Sequence, residues 1–405
     1  MTKPNSLNVI VPLAGHGKRF AAAGYIAPKP LVRAKGIPMV QRCISALQAT
    51  ASDNLVLVYH RSLEAHNFRD QMGREFPELS IQFVPLFFDT RGPAETVLLG
   101  LTALSETDLA RPTLIADGDS IFTDDVLGPM RRAASNSIFY FEDREANPIY
   151  SYLSLGDDQR VTDIREKVKI SDHACIGAYG FESGELLLRY CQETISRQGA
   201  NDNELYISSV YRTMLDDGCE IKAQKVDHWD CLGTPVQLRH WAELNGEPGH
   251  SQRICFDLDN TLVTHPAIAG DYETCLPIER NIRFLRFLKA QGHHIIIHSA
   301  RRMRIHAGDV AAVIDDIGQL TKRQLERFDI PHDELIFGKP YADMYIDDLA
   351  ILPQAGLEQQ TGFYMDSGLE PRSWNSVEIR ESTVLKRGPV EEIEAETAWY
   401  KGLPD

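Results

Sequence analysis

Residues 9–20 read VIVPLAGHGKRF, and residues 28–31 read PKPL. The apolar run that ends at Leu13 predicts a buried β-strand, and the glycines that follow it predict a tight turn. Such a turn points backbone amides at an anion, and a phosphate can approach closely because Gly15 and Gly17 carry no side chain. The stretch therefore predicts an α/β unit that binds phosphate groups at the end of its first strand. Positive charge nearby is supplied by Lys18, Arg19 and Lys29.

A second apolar run ends in a pair of carboxylates, where residues 254–261 read ICFDLDNT. Asp257 and Asp259 lie two positions apart, so on a regular strand both side chains would face the same side. Beyond the strand the chain must bend, and one carboxylate can then attack phosphorus while the other exchanges a proton with the leaving oxygen. A surface loop of Asp and Asn is the alternative, but further segments with matching chemistry follow in order. They are SAR at 299–301, GKP at 338–340 and YIDD at 345–348.

Length and composition predict a globular protein with more than one domain. A chain of 405 residues exceeds one ordinary hydrophobic core, and 43% hydrophobic with 25% charged residues is a globular balance. No apolar run is long enough to cross a bilayer and the first residues lack the apolar core of a signal peptide, which predicts a cytoplasmic protein without membrane insertion. The formal charge of -16 argues against nucleic-acid binding. The seven cysteines show no metal-ligand spacing and are expected to be reduced thiols.

The order of apolar and amphipathic stretches divides the chain into four segments. Residues 1–246 alternate strands and helices as a first α/β domain, and residues 247–252 are a linker by composition. Residues 253–355 form a second, smaller α/β domain, and residues 356–405 form an appendage that fits neither domain. The predicted strands include 7–13, 54–59, 113–116, 253–256, 294–298, 335–337 and 344–346, and the predicted helices include 38–50, 278–290 and 318–328.

The glycine turn and the PKPL stretch resemble the nucleotidyltransferase superfamily that makes nucleotide sugars and related activated alcohols. Its signature is a glycine loop ending in Gly-x-Arg, followed by Pro-Lys-Pro-Leu. The resemblance covers residues 7–242 and implies a Rossmann-like domain with a mixed sheet. Further similar pieces are RGPAET at 91–96, ADGDSIF at 116–122, REK at 165–167 and WDCLGTP at 229–235.

This resemblance implies a two-substrate site. A nucleoside triphosphate, with CTP or UTP favoured, would be held by Leu13, Ala14, Gly15, Gly17, Lys18, Gly92, Ala94 and Glu95. The acceptor, a phosphorylated sugar or polyol, would be held by Glu166, Lys167, Gly177, Tyr179 and Glu204. Arg19 and Lys29 would stabilise the leaving pyrophosphate, because catalysis of this reaction is mainly positioning and charge neutralisation.

The resemblance also implies a magnesium site in the first domain. Asp119 and Asp230 would hold Mg²⁺ against the α-phosphate. Asp230 lies three positions before Gly233, whereas many relatives have two, so Asp227 is the alternative ligand. Asp117 could be a loop cap instead of a ligand, and the Gly-Asp-Ser-Ile-Phe context favours Asp119.

The four later segments, beginning with the carboxylate pair, resemble the haloacid dehalogenase superfamily of phosphatases. The resemblance implies that Asp257 is the nucleophile and Asp259 the general acid and base, while Ser299 binds the phosphoryl group. Lys339 would steady the aspartyl phosphate, and Asp347 would complete a Mg²⁺ site with Asp257 and Asp259. The short distance between the first two segments leaves no room for a large cap, which implies a small capless α/β domain.

The appendage contains RSWN at 372–375, VLKRG at 384–388 and ETAWY at 396–400. These pieces faintly resemble the opening of a small-molecule kinase fold, in which a strand lysine pairs with a helix glutamate. The rest of such a kinase is missing from the sequence. The appendage is therefore predicted to be a docking segment or a kinase-like stub.

Together these patterns predict a bifunctional enzyme that makes a precursor of a capsule or other surface polysaccharide. One alternative is a regulatory or scaffolding protein whose first domain binds a nucleotide without turnover while the second domain is an active phosphatase. Another alternative makes the second site a phosphotransferase instead of a hydrolase. A homo-oligomer is compatible with the sequence.

Overall fold

A computed structural model describes residues 6–156, 158–198, 204–244, 251–347, 349–354 and 356–365. Most of the predicted linker and residues 366–405 of the predicted appendage, including its kinase-like pieces, lie outside the described residues. We call residues 6–244 the N-terminal unit and residues 251–365 the C-terminal unit. None of the described helices is long and apolar enough to span a bilayer.

The strands of the N-terminal unit are short and mostly buried. They are β1 (Asn8–Leu13), β2 (Arg33–Ala34), β3 (Ile37–Pro38), β4 (Asn54–His60), β5 (Ser80–Leu86), β6 (Thr113–Ala116), β7 (Ser120–Phe122), β8 (Ser137–Glu142), β9 (Ser151–Leu155), β10 (Val161–Glu166), β11 (His173–Phe181), β12 (Lys222–Lys225) and β13 (Trp229–Cys231). Its helices are α1 (Lys18–Ala22), α2 (Met39–Ala46), α3 (Phe68–Glu75), α4 (Pro93–Thr102), α5 (Glu106–Leu109), α6 (Leu127–Arg132), α7 (Gly184–Gln198), α8 (Ile207–Asp216) and α9 (Pro235–Leu244).

Nine of these strands form one mixed sheet in the described part of the chain. The order β10-β9-β11-β6-β1-β4-β5 places β6, β1, β4 and β5 side by side and parallel, as βαβ crossovers require. β11 runs antiparallel to β6, β8 and β9, and β12 pairs with β8. The predicted Rossmann-like domain with a mixed sheet is thus confirmed.

The sheet is buried on both faces, which explains why β1 reads as an almost continuous apolar run. Side chains alternate along a strand, so Ile10 packs in one hydrophobic cluster, while Val9 and Val11 pack in another. The first cluster includes residues of α4, α7 and α8, and the second includes residues of α2, α3 and α6. Two covered faces fix the sheet, so the turns at its carboxyl edge have defined positions.

The C-terminal unit is a smaller α/β layer. Its strands β14 (Arg253–Asp257), β15 (His294–Ser299) and β16 (Glu334–Phe337) are parallel, and its helices are α10 (Glu279–Ala290), α11 (Val310–Arg327) and α12 (Leu357–Thr361). The predicted strand at 344–346 is not formed. Residues 341–347 are irregular and exposed, with Met344 at 74% and Ile346 at 94% exposure, so their apolar pattern has found no sheet to cover it.

Residues 356–365, at the end of the C-terminal unit, also pack on the N-terminal unit. Phe363 belongs to the hydrophobic core of the C-terminal unit, and the neighbouring Tyr364 belongs to a cluster of the N-terminal unit. Backbone hydrogen bonds from the amides of Lys35 and Gly36 to the carbonyls of Gly362 and Thr361 fix the turn between β2 and β3 against this segment. The segment therefore joins the two units.

Candidate functional site

The glycine turn after β1 forms the floor of an open cavity of about 240 Å³. Gly17 has φ 61°, and a Cβ there would lie 2.6 Å from the Cβ of Lys29, so only glycine fits. The turn leads directly into α1, whose first residues are Lys18 and Arg19. The predicted nucleotide residues that line the cavity are Leu13, Ala14, Gly15 and Gly17, and Lys29 lines it as well.

Lys29 meets the predicted metal ligand directly, since its Nζ lies 2.5 Å from Asp119 Oδ2. Burial lowers the pKa of Lys29, but the adjacent Asp119 carboxylate outweighs burial and leaves the pKa raised. Lys29 therefore carries a positive charge at neutral pH. The pair places a cation and a carboxylate side by side at the carboxyl edge of the sheet.

Asp117 is a second carboxyl in the same place. Burial and the charge of Asp119 raise its pKa to about 8. The Asp117 amide donates to the Gly177 carbonyl, and a Cβ on Gly177 would lie 2.5 Å from Asp117 Oδ2. The predicted acceptor residue Gly177 thus makes room for Asp117. Sequence reasoning set Asp117 aside as a loop cap, although its spacing of two from Asp119 was the available signal.

The predicted acceptor residues lie next to this carboxyl pair. Glu166 accepts hydrogen bonds from the hydroxyls of Ser151 and Ser208, and its charge acts on Asp117 and Tyr179. Lys167 has a left-handed backbone with φ 51°, and its Nζ donates to the Tyr206 hydroxyl at 2.7 Å. Glu166, Lys167 and Tyr179 are thereby brought together.

Tyr206 is a residue that sequence reasoning missed. Its hydroxyl donates to Glu204, one of the predicted acceptor residues. Burial and this hydrogen bond raise the pKa of Tyr206, and the positive charge of Arg19 partly offsets them. Tyr206 therefore connects Glu204 with Lys167, a contact that local sequence patterns do not reveal because the two residues lie far apart in the sequence.

Asp230 is not brought next to Asp119. On β13, Cys231 and Asp230 face opposite sides, and it is Cys231 that lies beside Asp119, on either side of Gly233. The Asp230 carboxylate accepts from Trp241 Nε1 at 3.2 Å, and burial raises its pKa. Asp227, the alternative, is exposed and lies 3.9 Å from Lys225. No group of three or more His, Cys, Asp and Glu side chains among the described residues is arranged to hold a metal.

The segment at the start of α4 is tightly built. Gly92 has φ 153°, and a Cβ there would lie 2.6 Å from the Leu205 carbonyl oxygen. The Ala94 amide donates to that carbonyl, and Glu95 accepts from the Arg91 amide at 2.6 Å. Because Leu205 precedes Tyr206, the predicted nucleotide segment is connected to the predicted acceptor residues through the backbone.

The C-terminal unit gathers a second set of polar groups at the carboxyl edge of its sheet. Lys339 Nζ lies 2.8 Å from Asp257 Oδ1, and the Lys339 amide donates to the Ser299 carbonyl. Ser299 is fully buried, and its hydroxyl accepts from the Arg301 amide. Asp257, Ser299 and Lys339 thus converge, because parallel strands end at the same edge.

Asp259 is held by Arg301, a partner that sequence reasoning did not assign. The guanidinium donates to both carboxylate oxygens at 2.8 to 3.0 Å, and the Arg301 side chain is fully buried. Thr321 and Gln324 accept its remaining hydrogen bonds. Asp347, by contrast, lies in the exposed segment after β16 and accepts from the amide of Leu349.

Comparisons with known proteins agree with the fold of the N-terminal unit. Residues 9–168 match the family model described as MobA-like NTP transferase domain. Among solved structures, the nucleoside-diphosphate-sugar pyrophosphorylase from Vibrio cholerae RC9 has 21% sequence identity and a TM-score of 0.52, over 58% of this chain and 99% of that chain. The inositol-1-phosphate CTP transferase from T. maritima has 14% identity and a TM-score of 0.49, over 60% of this chain and 96% of that chain. No curated protein matches the sequence.

The N-terminal unit has a nucleotidyltransferase fold. The family model covers the glycine turn, Lys29, Asp119 and the Glu166–Lys167 pair, whereas Gly177, Tyr179, Glu204 and Tyr206 lie beyond the matched residues. The C-terminal unit falls outside that match.

Proposed function

We propose that the N-terminal unit transfers a nucleotidyl group from CTP or UTP to a phosphorylated sugar or polyol and releases pyrophosphate. The observation that carries the proposal is the Lys29–Asp119 pair beside the glycine turn, with Glu166 and Lys167 close to its other side. The match of residues 9–168 to an NTP transferase model supports it. A phosphate cavity on one side and a phosphate-orienting lysine on the other suit a reaction between two phosphate groups.

The reaction brings the negative charges of the triphosphate and of the acceptor phosphate close together. An oxygen of the acceptor phosphate attacks the α-phosphorus, the bond from that phosphorus to the bridging oxygen breaks, and the electron pair leaves with pyrophosphate. Lys29 and Arg19 would offset the charge on the leaving group, while Lys167 would orient the incoming phosphate.

Asp119 and Asp117 are two side chains that would hold a divalent cation together with oxygens of the bound triphosphate. Both side chains offer carboxylate oxygens, which hard cations prefer, and their mutual repulsion contributes to the raised pKa of Asp117. Mg²⁺ bound there would neutralise triphosphate charge. Asp117 is accordingly proposed to act with Asp119, in the place that sequence reasoning gave to Asp230.

Pyrophosphate release over four triphosphates and a panel of phosphorylated acceptors tests the transferase. Asp119→Asn should lower the rate by on the order of 100-fold with the fold intact, because one preorganised charge at the transition state is lost. Asp158→Asn, at an exposed carboxylate paired with Arg160, is the matched control and should keep the wild-type rate. No pyrophosphate from any combination would refute the transferase. Tight nucleotide binding by calorimetry without turnover would favour a regulatory or scaffolding role.

For the C-terminal unit we propose hydrolysis of a phosphate monoester related to the acceptor. The observation that carries this proposal is the Asp257–Lys339 contact at 2.8 Å next to the buried Ser299. An Asp257 oxygen would attack phosphorus, and the ester oxygen would leave with a proton supplied through Asp259. Water would then release phosphate from the aspartyl group. The two activities together suit cytoplasmic synthesis of a surface-polysaccharide precursor.

Asp257→Asn tests the phosphatase and its independence from the transferase. Phosphate release from p-nitrophenyl phosphate should be abolished, and pyrophosphate release should remain at the wild-type rate. Equal loss of both activities would contradict two independent sites. Transfer of labelled phosphate to an added alcohol in preference to water would show a phosphotransferase instead.

A further inference from the structure

A second cavity, of about 210 Å³, lies beside β13 and the end of β8. Three aromatic side chains form one wall: Phe141, Tyr150 and Trp229. They pack against one another with ring centroids 5.1 to 6.0 Å apart, so each ring is fixed by the other two. The cavity is therefore preformed, and aromatic faces border it.

The rest of the lining is mostly acidic, with Cys231 and Gln237 as its other members. Four carboxyl side chains contribute to it: Asp143, Glu145, Asp227 and Asp230. Among the described residues that line this cavity, none is basic. Lys169 lies nearby, but it donates to the backbone carbonyls of Asp143 and Glu145 and pairs with Asp172. Lys225 pairs with Glu142 at 2.9 Å and more distantly with Asp227. An aromatic wall with excess carboxylates repels an anion and attracts a cation.

The cavity adjoins the proposed acceptor site. The Tyr150 carbonyl accepts the amide of Lys167 at 2.9 Å, so one aromatic residue is fixed to the proposed phosphate-orienting stretch. Cys231, which also lines the cavity, lies close to Asp119 next to Gly233. A molecule whose phosphate reached Lys167 could place its other end in this cavity.

We propose that this cavity binds a positively charged nitrogen of the acceptor, which makes the acceptor a phosphorylated amino alcohol. The inference rests on the proposed nucleotidyl transfer and narrows its acceptor class. A cationic nitrogen over aromatic faces is stabilised by the ring quadrupoles, and nearby carboxylates offset the cost of removing the charge from water.

Turnover with matched acceptors tests the inference. Phosphocholine and phosphoethanolamine should support pyrophosphate release, and 3,3-dimethylbutyl phosphate, the neutral isostere of phosphocholine, should have a KM on the order of 10-fold higher. Glucosamine 1-phosphate and glucose 1-phosphate form the sugar pair of the panel. Equal or better activity with the neutral member of each pair would overturn the inference while leaving nucleotidyl transfer in place.

Binding without turnover separates this inference from the proposed function. Tetramethylammonium titrated into the full chain should change the tryptophan fluorescence, and neopentyl alcohol should not. If the cation binds but no acceptor reacts, the cavity stands and the transferase fails. If tetramethylammonium gives no saturable signal and no cationic acceptor is preferred, the cavity proposal is wrong.

Two variants locate the effect. Glu145→Gln removes one lining charge, and Trp229→Leu removes an aromatic face; each should raise the KM for phosphocholine several-fold and leave the KM of the neutral isostere unchanged. Trp229→Phe should restore much of the loss, which a merely structural role would not require. Glu142→Gln, at a nearby carboxylate outside the cavity, is the matched control. Equal effects on the charged and neutral acceptors would overturn the assignment.

Discussion

The contact between Asp259 and Arg301 balances the positive charge of a buried guanidinium with a carboxylate. The Arg301 side chain is fully buried, and Asp259 supplies its only described carboxylate partner within salt-bridge distance. Thr321 and Gln324 complete its hydrogen bonds, so the guanidinium holds Asp259 in one orientation at the mouth of the proposed phosphatase site. Arg301 is thus a positioning residue for Asp259.

Arg301→Met should lower the free energy of unfolding of the C-terminal unit by about 3–5 kcal/mol, because it leaves a carboxylate at a partly buried position without its cation. Urea unfolding followed by circular dichroism measures this change. The double variant with Asp259→Asn should recover part of the loss, since the unpaired charge is gone. Arg304→Met is the control at an exposed arginine and should stay within about 0.5 kcal/mol of wild type. A loss of that small size for Arg301→Met would contradict a structural role for the pair.

At the same scale, sequence reasoning identified most of the polar residues but not all their partners. Lys29, Asp119, Glu166 and Lys167 were named from local motifs, and the structure brings them together. Which of Asp230 and Cys231 meets Asp119 depends on a strand register, and one residue of shift exchanges the two faces. A motif does not fix that register, because it is set by pairing with β7.

At the scale of elements, strands with strong local signals were predicted well. β1, β4 and β6 begin and end within about one residue of the predicted ranges, because apolar runs bounded by turns are local signals. The bulge in β11 between Cys175 and Tyr179 and its pairing with both β8 and β9 depend on distant partners. The segment 344–346 was predicted as a strand from its apolar pattern, but the structure does not pair it with any described strand.

The structural role of the segment 356–365 is not predictable from its sequence. It was predicted to fit neither domain, yet Phe363 and Tyr364 are only 7% and 8% exposed. The Tyr364 hydroxyl lies 2.8 Å from that of Tyr25, which lines the glycine-turn cavity. Its apolar residues are too few for a periodic signal, and the units they join are separate in the sequence.

Phe363→Ala should destabilise the C-terminal unit by about 3 kcal/mol, since a buried aromatic ring is removed from its core. Tyr364→Phe should cost only about 1 kcal/mol, because the ring stays packed and one hydrogen bond to Tyr25 is lost. Thermal unfolding by calorimetry resolves both changes. Exposed Tyr341→Ala serves as the comparison for removal of an aromatic ring outside a core. Similar losses in Phe363→Ala and Tyr341→Ala would show that the segment does not stabilise the unit.

At the scale of the whole molecule, a buried histidine of the C-terminal unit lies within reach of a charge of the N-terminal unit. His293 is 6% exposed, its Nδ1 accepts the amide of Gln252, and its ring packs edge-on against Phe363 at 4.7 Å. Burial lowers the pKa of His293, and the charge of Lys35 from the N-terminal unit lowers it further. Lys35 is held there by its amide, which donates to Gly362. Burial within the C-terminal unit and the positive charge of Lys35 thus both favour the neutral form of His293.

This arrangement predicts that the free energy of unfolding decreases at acidic pH, because protonation of His293 disfavours the packing around it. The pKa of His293 is lowered in the folded protein and is about 6.5 in the unfolded chain. Between these two values the unfolded state binds more protons at His293 than the folded state does. The free energy of unfolding therefore keeps its full value above this pH window and decreases as the pH falls through it. Calorimetry between pH 7.5 and 5.0 should therefore show a falling Tm. His293→Gln keeps an acceptor for the Gln252 amide but cannot be protonated, so the fall should become shallower, by at most about 1.4 kcal/mol per pH unit. His265→Gln, at an exposed histidine, should leave the slope unchanged. Parallel curves for His293→Gln and wild type would show that protonation of His293 does not govern the loss of stability at acidic pH.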